Sequence, residues 1–134
     1  MTSYRCRYIL LFFSVELEVF CIRNFSVFSR LHFLFGKNFE RASRVVDQRG
    51  VKRICGQPSG RSVFQVVGES KKKEEYLCFP EHYCACYSFF YDVVNRGEQL
   101  CCKHQLAARL AKSLGACIEV MVSDEELAVM LSQL

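Results

Sequence analysis

Proline occurs twice and glycine seven times in 134 residues. That scarcity excludes a collagen-like chain and a Pro/Gly-rich linker, and a 51% hydrophobic content excludes a wholly disordered one. No apolar run approaches the roughly 20 residues needed to cross a bilayer. Arg5 and Arg7 followed by Tyr8-Ile9-Leu10-Leu11-Phe12-Phe13 imitate a secretory signal, but the run meets Glu16 and Glu18 and no small-residue cleavage site follows. No repeat of solenoid period is present. A strong charge bias is lacking too. Eighteen Lys/Arg against fourteen Asp/Glu leave +4, which permits contact with nucleic acid without arguing for it. The charge is unevenly spread, with six Lys/Arg and two acids over residues 36–53 and four acids without Lys or Arg over 113–134.

What the chain does have is cysteine, nine in all. Without a signal of normal design, the expected setting is a reducing compartment, where cysteine patterns mean metal or redox chemistry more often than disulfides. A secreted disulfide-bonded domain is the rival. The length suits a single domain. Residues 1–30 are apolar without a settled period, and Cys6 and Cys21 have no ligand-like spacing.

From residue 31 the pattern is legible. Phe39, Ala42, Val45 and Val46 recur at helical spacing, which predicts a helix over residues 38–48 closed by Gln48-Arg49-Gly50. Val51–Cys55 and Ser62–Val67 read as strands of a hairpin around Gly56-Gln57-Pro58-Ser59-Gly60. The Lys71-Lys72-Lys73-Glu74-Glu75 run marks a solvated loop. Tyr76–Phe79 and His82–Cys86 read as short strands, residues 88–94 as a short helix, and Leu106, Ala107, Leu110, Ala111 and Leu114 as one face of a helix stopping at Gly115. A last helix opens at Ser123, with Glu126 completing a capping box and Leu127, Met130, Leu131 and Leu134 as its apolar face. The fold class is α+β, a small antiparallel sheet packed with helices.

One constellation carries chemistry: Cys84-Ala85-Cys86, a fifteen-residue insert, then Cys102-Lys103-His104. Zinc takes four sulfur or nitrogen ligands tetrahedrally, and Cys₃His is a standard structural set. Residues two apart on a strand share a face, so Cys84 and Cys86 can hold one ion. Residues two apart on a helix diverge, so Cys102 is expected to cap the following helix with His104 in its first turn. There the positive end of the helix dipole favours the metal-binding thiolate. Three thiolates, a neutral imidazole and Zn²⁺ sum to −1, and Lys103 is either the counter-charge or an ordinary exposed lysine. Cys101 is an alternative to Cys102, as a Cys-x-x-His pair. Cys78 and Cys117 suit small buried positions, and His82 and His32 belong to no ligand pair. With four protein ligands no position is left for an activated water, and the deaminase His-x-Glu motif is absent, so a zinc hydrolase or deaminase is disfavoured. Gly56–Ser62 lacks the lysine and glycine spacing of a phosphate-binding loop.

Cys-x-Cys, insert and Cys-x-His resemble the SWIM-type zinc finger. Phe33-Leu34-Phe35-Gly36, Pro58-Ser59-Gly60-Arg61-Ser62-Val63-Phe64-Gln65-Val66-Val67-Gly68, His82-Tyr83 before the first cysteine pair, Leu106 and Ala107 after the second, and Val122-Ser123-Asp124 sharpen the resemblance. Over about residues 31–134 the chain is similar to the SWIM subunits of Shu complexes. The resemblance implies one structural Zn²⁺ on Cys84, Cys86, Cys102 and His104. It also implies a non-enzymatic adaptor in the nucleus that partners a RecA-family recombinase paralogue. Through that paralogue it would act indirectly on the recombinase filament, in homologous recombination repair of DNA double-strand breaks and in meiotic recombination. The expected organisation is a poorly defined apolar segment over 1–30, helix plus hairpin over 31–75, the finger over 76–115 and a C-terminal helix over 116–134, with 31–134 one compact domain. No membrane partner is expected. The alternative is a direct single-stranded DNA binder, using Lys37, Arg41, Arg44, Arg49, Lys52 and Arg53 with Phe89, Phe90 or Tyr91 as stacking platforms.

Overall fold

The apolar stripe of Phe39, Ala42, Val45 and Val46 is buried along a helix, α1 (Lys37–Asp47), in a computed structural model that describes residues 29–134. The expectations for residues 1–28, with Cys6 and Cys21, lie outside the described residues. Helix α1 ends differently from the sequence expectation. Arg49, not Gly50, takes the left-handed conformation, at φ 54°. Glycine is needed at position 50 for space, because a Cβ there would stand 3.0 Å from both Cγ1 and the carbonyl oxygen of Val45.

Strands β1 (Val51–Gln57) and β2 (Ser62–Val67) form the expected hairpin, in register from Val51↔Val66 to Cys55↔Ser62. Strand β3 (Glu75–Phe79) pairs antiparallel with β2, and β4 (Tyr83–Cys84) antiparallel with β3. The strand expected over His82–Cys86 is therefore only two residues long. Ala85 N–H still donates to the Leu77 carbonyl at 3.1 Å before the chain bends away. The short helix expected over 88–94 is a π-helix at Phe89–Asn95, with Arg96 N–H donating five residues back to Tyr91 at 3.0 Å. Helix α2 (Lys103–Leu114) stops at Gly115, whose φ of 66° lets its N–H turn back to the Ala111 and Lys112 carbonyls.

The sheet is mixed, not purely antiparallel. Ile118–Ser123 forms a fifth strand, β5, parallel to β1 from Lys52↔Ile118 to Gln57↔Ser123, and the strand order is β4-β3-β2-β1-β5. Its signal was in the sequence, since β-branched Ile118, Val120 and Val122 alternate with Glu119 and Met121 at the strand period. Strand β5 runs straight into α3 (Asp124–Leu131), where Ser123 and Glu126 make both hydrogen bonds of the capping box, at 3.1 Å each. The Asp124 carboxylate reaches back to the β1–β2 turn and accepts from the Ser59 hydroxyl and from its N–H at 3.1 Å.

The sheet buries both faces. On one, cross-strand partners Ile54 and Val63 meet Leu127 of α3, with Leu77, Phe79, Val120, Val122, Met130 and Leu131 around them. The alternate residues Val51, Phe64, Val66 and Cys78 point to the other face, which α2 crosses over β1–β3. Ala107, Ala108 and Ala111 are fully buried there, and their small side chains let the helix axis approach the sheet closely. Asn38–Leu134 make up one compact unit.

Leu127 is the fully inserted anchor of an eight-residue helix, so Leu127→Ala removes apolar contact and leaves a void. It is expected to lower the free energy of urea unfolding by about 2–5 kcal/mol.

Candidate metal centre

Two stretches of chain converge at the sheet's β4 edge. Strand β4 delivers Cys84, and the bend after it delivers Cys86, whose Sγ accepts from the Phe89 N–H at 3.3 Å as the π-helix begins. Cys102 is the N-cap of α2, at φ −77° and ψ 166°. Its Sγ accepts from Gln105 N–H at 3.4 Å, while Gln105 Oε1 accepts from Cys102 N–H at 3.1 Å. This is a capping box with sulfur in place of the usual hydroxyl. It leaves His104 in the first helical turn, pointing the same way as the N-cap thiol.

The ligand atoms of Cys84, Cys86, Cys102 and His104 all lie within 4.8 Å of one another, and all four residues are buried. Tetrahedral ligands at about 2.3 Å from an ion stand about 3.8 Å apart. The cluster can therefore hold a metal ion with small side-chain adjustments. His104 supplies an independent indication of fit. It is 2% exposed, yet neither Nδ1 nor Nε2 has a hydrogen-bond partner. An imidazole buried with its acceptor nitrogen unpaired suits a cation. Three sulfurs and one nitrogen are a zinc-type donor set.

The protonation pattern shows how unfavourable so many thiols are in one buried space. Hydrogen bonds from Cys102 and then Cys84 hold the Cys86 thiol well below its ordinary range. Cys102 is driven well above it by its bonds to Cys84 and Cys86 and by burial. Cys84, although Cys102 donates to it, ends above its ordinary range because of its bonds to Cys78 and Cys86 and because of burial. Tyr76 lines the site with its ring 4.8 Å from that of His104, at 42°. The Tyr76 phenol donates to Glu74 at 2.7 Å, and that bond first, then burial, pushes its pKa up to about 12.

All four residues singled out by spacing come together. Cys101, the alternative to Cys102, is buried outside the cluster, where its carbonyl accepts from Asn38 Nδ2 at 3.3 Å. Cys78 is buried beside Cys84, Cys117 is half-buried, and His82 is exposed. Lys103 is half-buried, not exposed. Its Nζ pairs with Glu69 at 3.2 Å. Among the cations of residues 37–53, Lys52 pairs with Glu75 at 3.0 Å, Arg53 with Glu119 at 3.7 Å and Arg41 with Glu69 at 4.0 Å. Phe89 is buried edge-on against Tyr83 and offers no stacking platform. Sequence reasoning missed Gln105, although Cys102-x-x-Gln105 repeats the spacing of a capping box.

A Cys₃His cluster between a sheet edge and a helix N-terminus defines a zinc-finger protein. Comparison with known proteins gives the family. The chain is 41% identical over 104 residues to zinc finger SWIM domain-containing protein 7 of Danio rerio, covering 77% of this chain and 72% of that protein. It is 39% identical over 98 residues to the Homo sapiens protein of the same name, covering 72% and 68%. A Dictyostelium discoideum homolog is 27% identical over 97 residues, covering 72% and 61%. The chain belongs to the zinc finger SWIM domain-containing protein 7 family. No family model and no solved structure matches it. The relatives are named as zinc-finger proteins, not as enzymes.

Gln105→Met keeps side-chain length but removes the acceptor for the buried Cys102 N–H. It is expected to cost about 1–3 kcal/mol of stability, read from the urea midpoint at unchanged slope.

Proposed function

We propose that this chain is a non-enzymatic adaptor in which one structural zinc ion, held by Cys84, Cys86, Cys102 and His104, fixes a surface for a protein partner. The observation that carries the reading is the buried cluster with its unpartnered imidazole. When bound, zinc supplies a cross-link and offsets the thiolate charge, and four protein donors leave no place for a reacting water. The residues then act structurally. Cys86 and Cys102 stand at the two ends of the insert, so closing the cluster closes the insert as a loop.

That insert presents the apolar surface an adaptor needs. Tyr87 is 75% exposed, Phe90 60% and Leu100 75%, with Val94 exposed beside them. Aromatic and aliphatic side chains left in water on a small domain suit the centre of a protein interface. With the family membership, this supports a partner that is a RecA-family recombinase paralogue, in a Shu-type complex of the nucleus. The chain would there promote homologous recombination repair of DNA double-strand breaks and meiotic recombination, reaching the recombinase filament only through its partner.

A second reading, direct contact with single-stranded DNA, is favoured by one arrangement. Tyr87 and Tyr91 stack at 5.6 Å and 13°, and the Arg96 guanidinium lies 4.8 Å above the Tyr91 ring. Bases stack on such surfaces. The ion pairs of Arg41, Lys52 and Arg53 weaken the basic patch that this reading was first built on.

Three measurements test these readings. The purified chain is expected to carry one zinc per molecule, and Cys84→Ser or His104→Ala to lose most of it and to melt at a lower temperature. A strong chelator should do the same to the native chain, because metal binding contributes to folding, roughly 10–16 kcal/mol apparent in small zinc-finger peptides. Phe90→Asp is expected to retain zinc yet co-purify at least about tenfold less with the recombinase paralogue, the scale of an interface hot spot of about 1.4 kcal/mol or more. Retained association in that variant would count against the adaptor surface. Affinity for single-stranded oligonucleotides that falls steeply with salt would favour the second reading, and absence of binding at low salt would remove it.

A further inference from the structure

The three clustered thiols are not equivalent in what donates to them. Cys86 Sγ takes the Phe89 N–H and Cys102 Sγ takes the Gln105 N–H. Among the described residues no backbone N–H donates to Cys84. Its neighbour is instead a fourth thiol. Cys78 and Cys84 are direct cross-strand partners of β3 and β4, so their side chains leave the sheet on the same face. Cys84 is buried with Cys78, so the two sulfurs face the same dry space. Cys78 is fully buried and lies outside the group of four that close on one another.

We propose that Cys78 is a positioning residue of the metal centre, donating its S–H to the Cys84 sulfur and so completing a set of one hydrogen bond per thiolate. This rests on the four-ligand reading of the site given above. A Cys₃His zinc centre carries a net −1 charge in a buried space, and Lys103, which follows one of its ligands in sequence, is paired with Glu69. Each hydrogen bond to a thiolate withdraws part of that charge and orients the lone pair that meets the metal. Two sulfurs obtain this from local turns that cap their own elements. Cys84 sits at the end of a two-residue strand with no turn to do so, and the partner strand supplies the donor instead. The role needs a side chain here that is small, buried and able to donate. Cysteine meets all three conditions, and serine keeps the donor, whereas valine keeps the bulk and loses it.

That difference separates a donor from mere packing. In the full-length chain, zinc affinity measured against a chromophoric chelator is expected to fall about tenfold or more for Cys78→Val, the scale seen when outer-shell partners are removed, and to stay close to wild type for Cys78→Ser. With Co²⁺ in place of zinc, the sulfur-to-metal charge-transfer band should move to lower energy in Cys78→Val, because an unrelieved thiolate gives up its electron more easily, and stay in place in Cys78→Ser. A packing role predicts the reverse order, with valine tolerated and serine harmful. Wild-type affinity and band position in Cys78→Val, or a serine variant as impaired as the valine one, would overturn the proposal alone. Failure of the wild-type chain to take up either metal would overturn the four-ligand reading and this one with it.

Discussion

Three sulfurs and an imidazole cannot share a buried space of under 5 Å on neutral terms, and the rest of this structure is arranged around that fact. The three thiols crowd one another, and neither nitrogen of the buried imidazole is hydrogen-bonded. A buried group left in that condition costs free energy that a small domain can ill spare. A divalent cation removes all the conflicts at once, because every donor then faces the same centre. On the proposed reading, metal binding would add to the folding free energy, and the folded population would rise with the free metal concentration.

The scaffold does its part by placing two unlike elements at one edge. Strand β4 is short and ends at Cys84, so that the chain can bend and bring Cys86 round. Helix α2 starts at Cys102, so that its first turn can carry His104 alongside. What holds the helix start against the strand end lies partly along the helix and partly at the cap itself. The buried alanines of α2 lie along the sheet, and the Gln105 amide locks the N-cap backbone. A register slip of α2 by one residue would turn His104 away by about 100° and open the centre. The polar site is thus positioned by apolar packing on one side and by a single buried amide on the other.

Much of this was legible in the residues. The Cys-x-Cys and Cys-x-His spacings carried the ligand geometry, since the strand and helix periods differ and each pair suits only one of them. The hairpin, the Ser123–Glu126 cap and the stop at Gly115 are local signals, written within a few residues, and they hold. The misses are of another kind. Strand β5 was hidden because its alternation is brief and abuts a strong helix signal, and its parallel partner lies some sixty residues away. Arg49 took the conformation that a glycine nearby would have suited, because crowding at Val45 had the prior claim on that glycine. Phe89 was misjudged because sequence shows what a side chain can do and not what already occupies it. Cys78 was read as a small buried residue and is one, while its neighbour across the ladder is set by a register the residues do not show.

One contact bears on how such a domain tolerates change. The Asp124 carboxylate ties the tip of the first hairpin to the start of the last helix, and Gly56 fits beneath it with no space to spare. Lengthening that tip by even one residue would pull on the carboxylate, and through it on a helix whose preceding strand leaves no slack. Among the described residues, the stretch between the second and third sulfurs is tied from outside only near its end, where Asn38 donates to Gln99 and to the Cys101 carbonyl. A change of length would therefore strain the frame less in the loop that bears the exposed aromatics than at the hairpin tip.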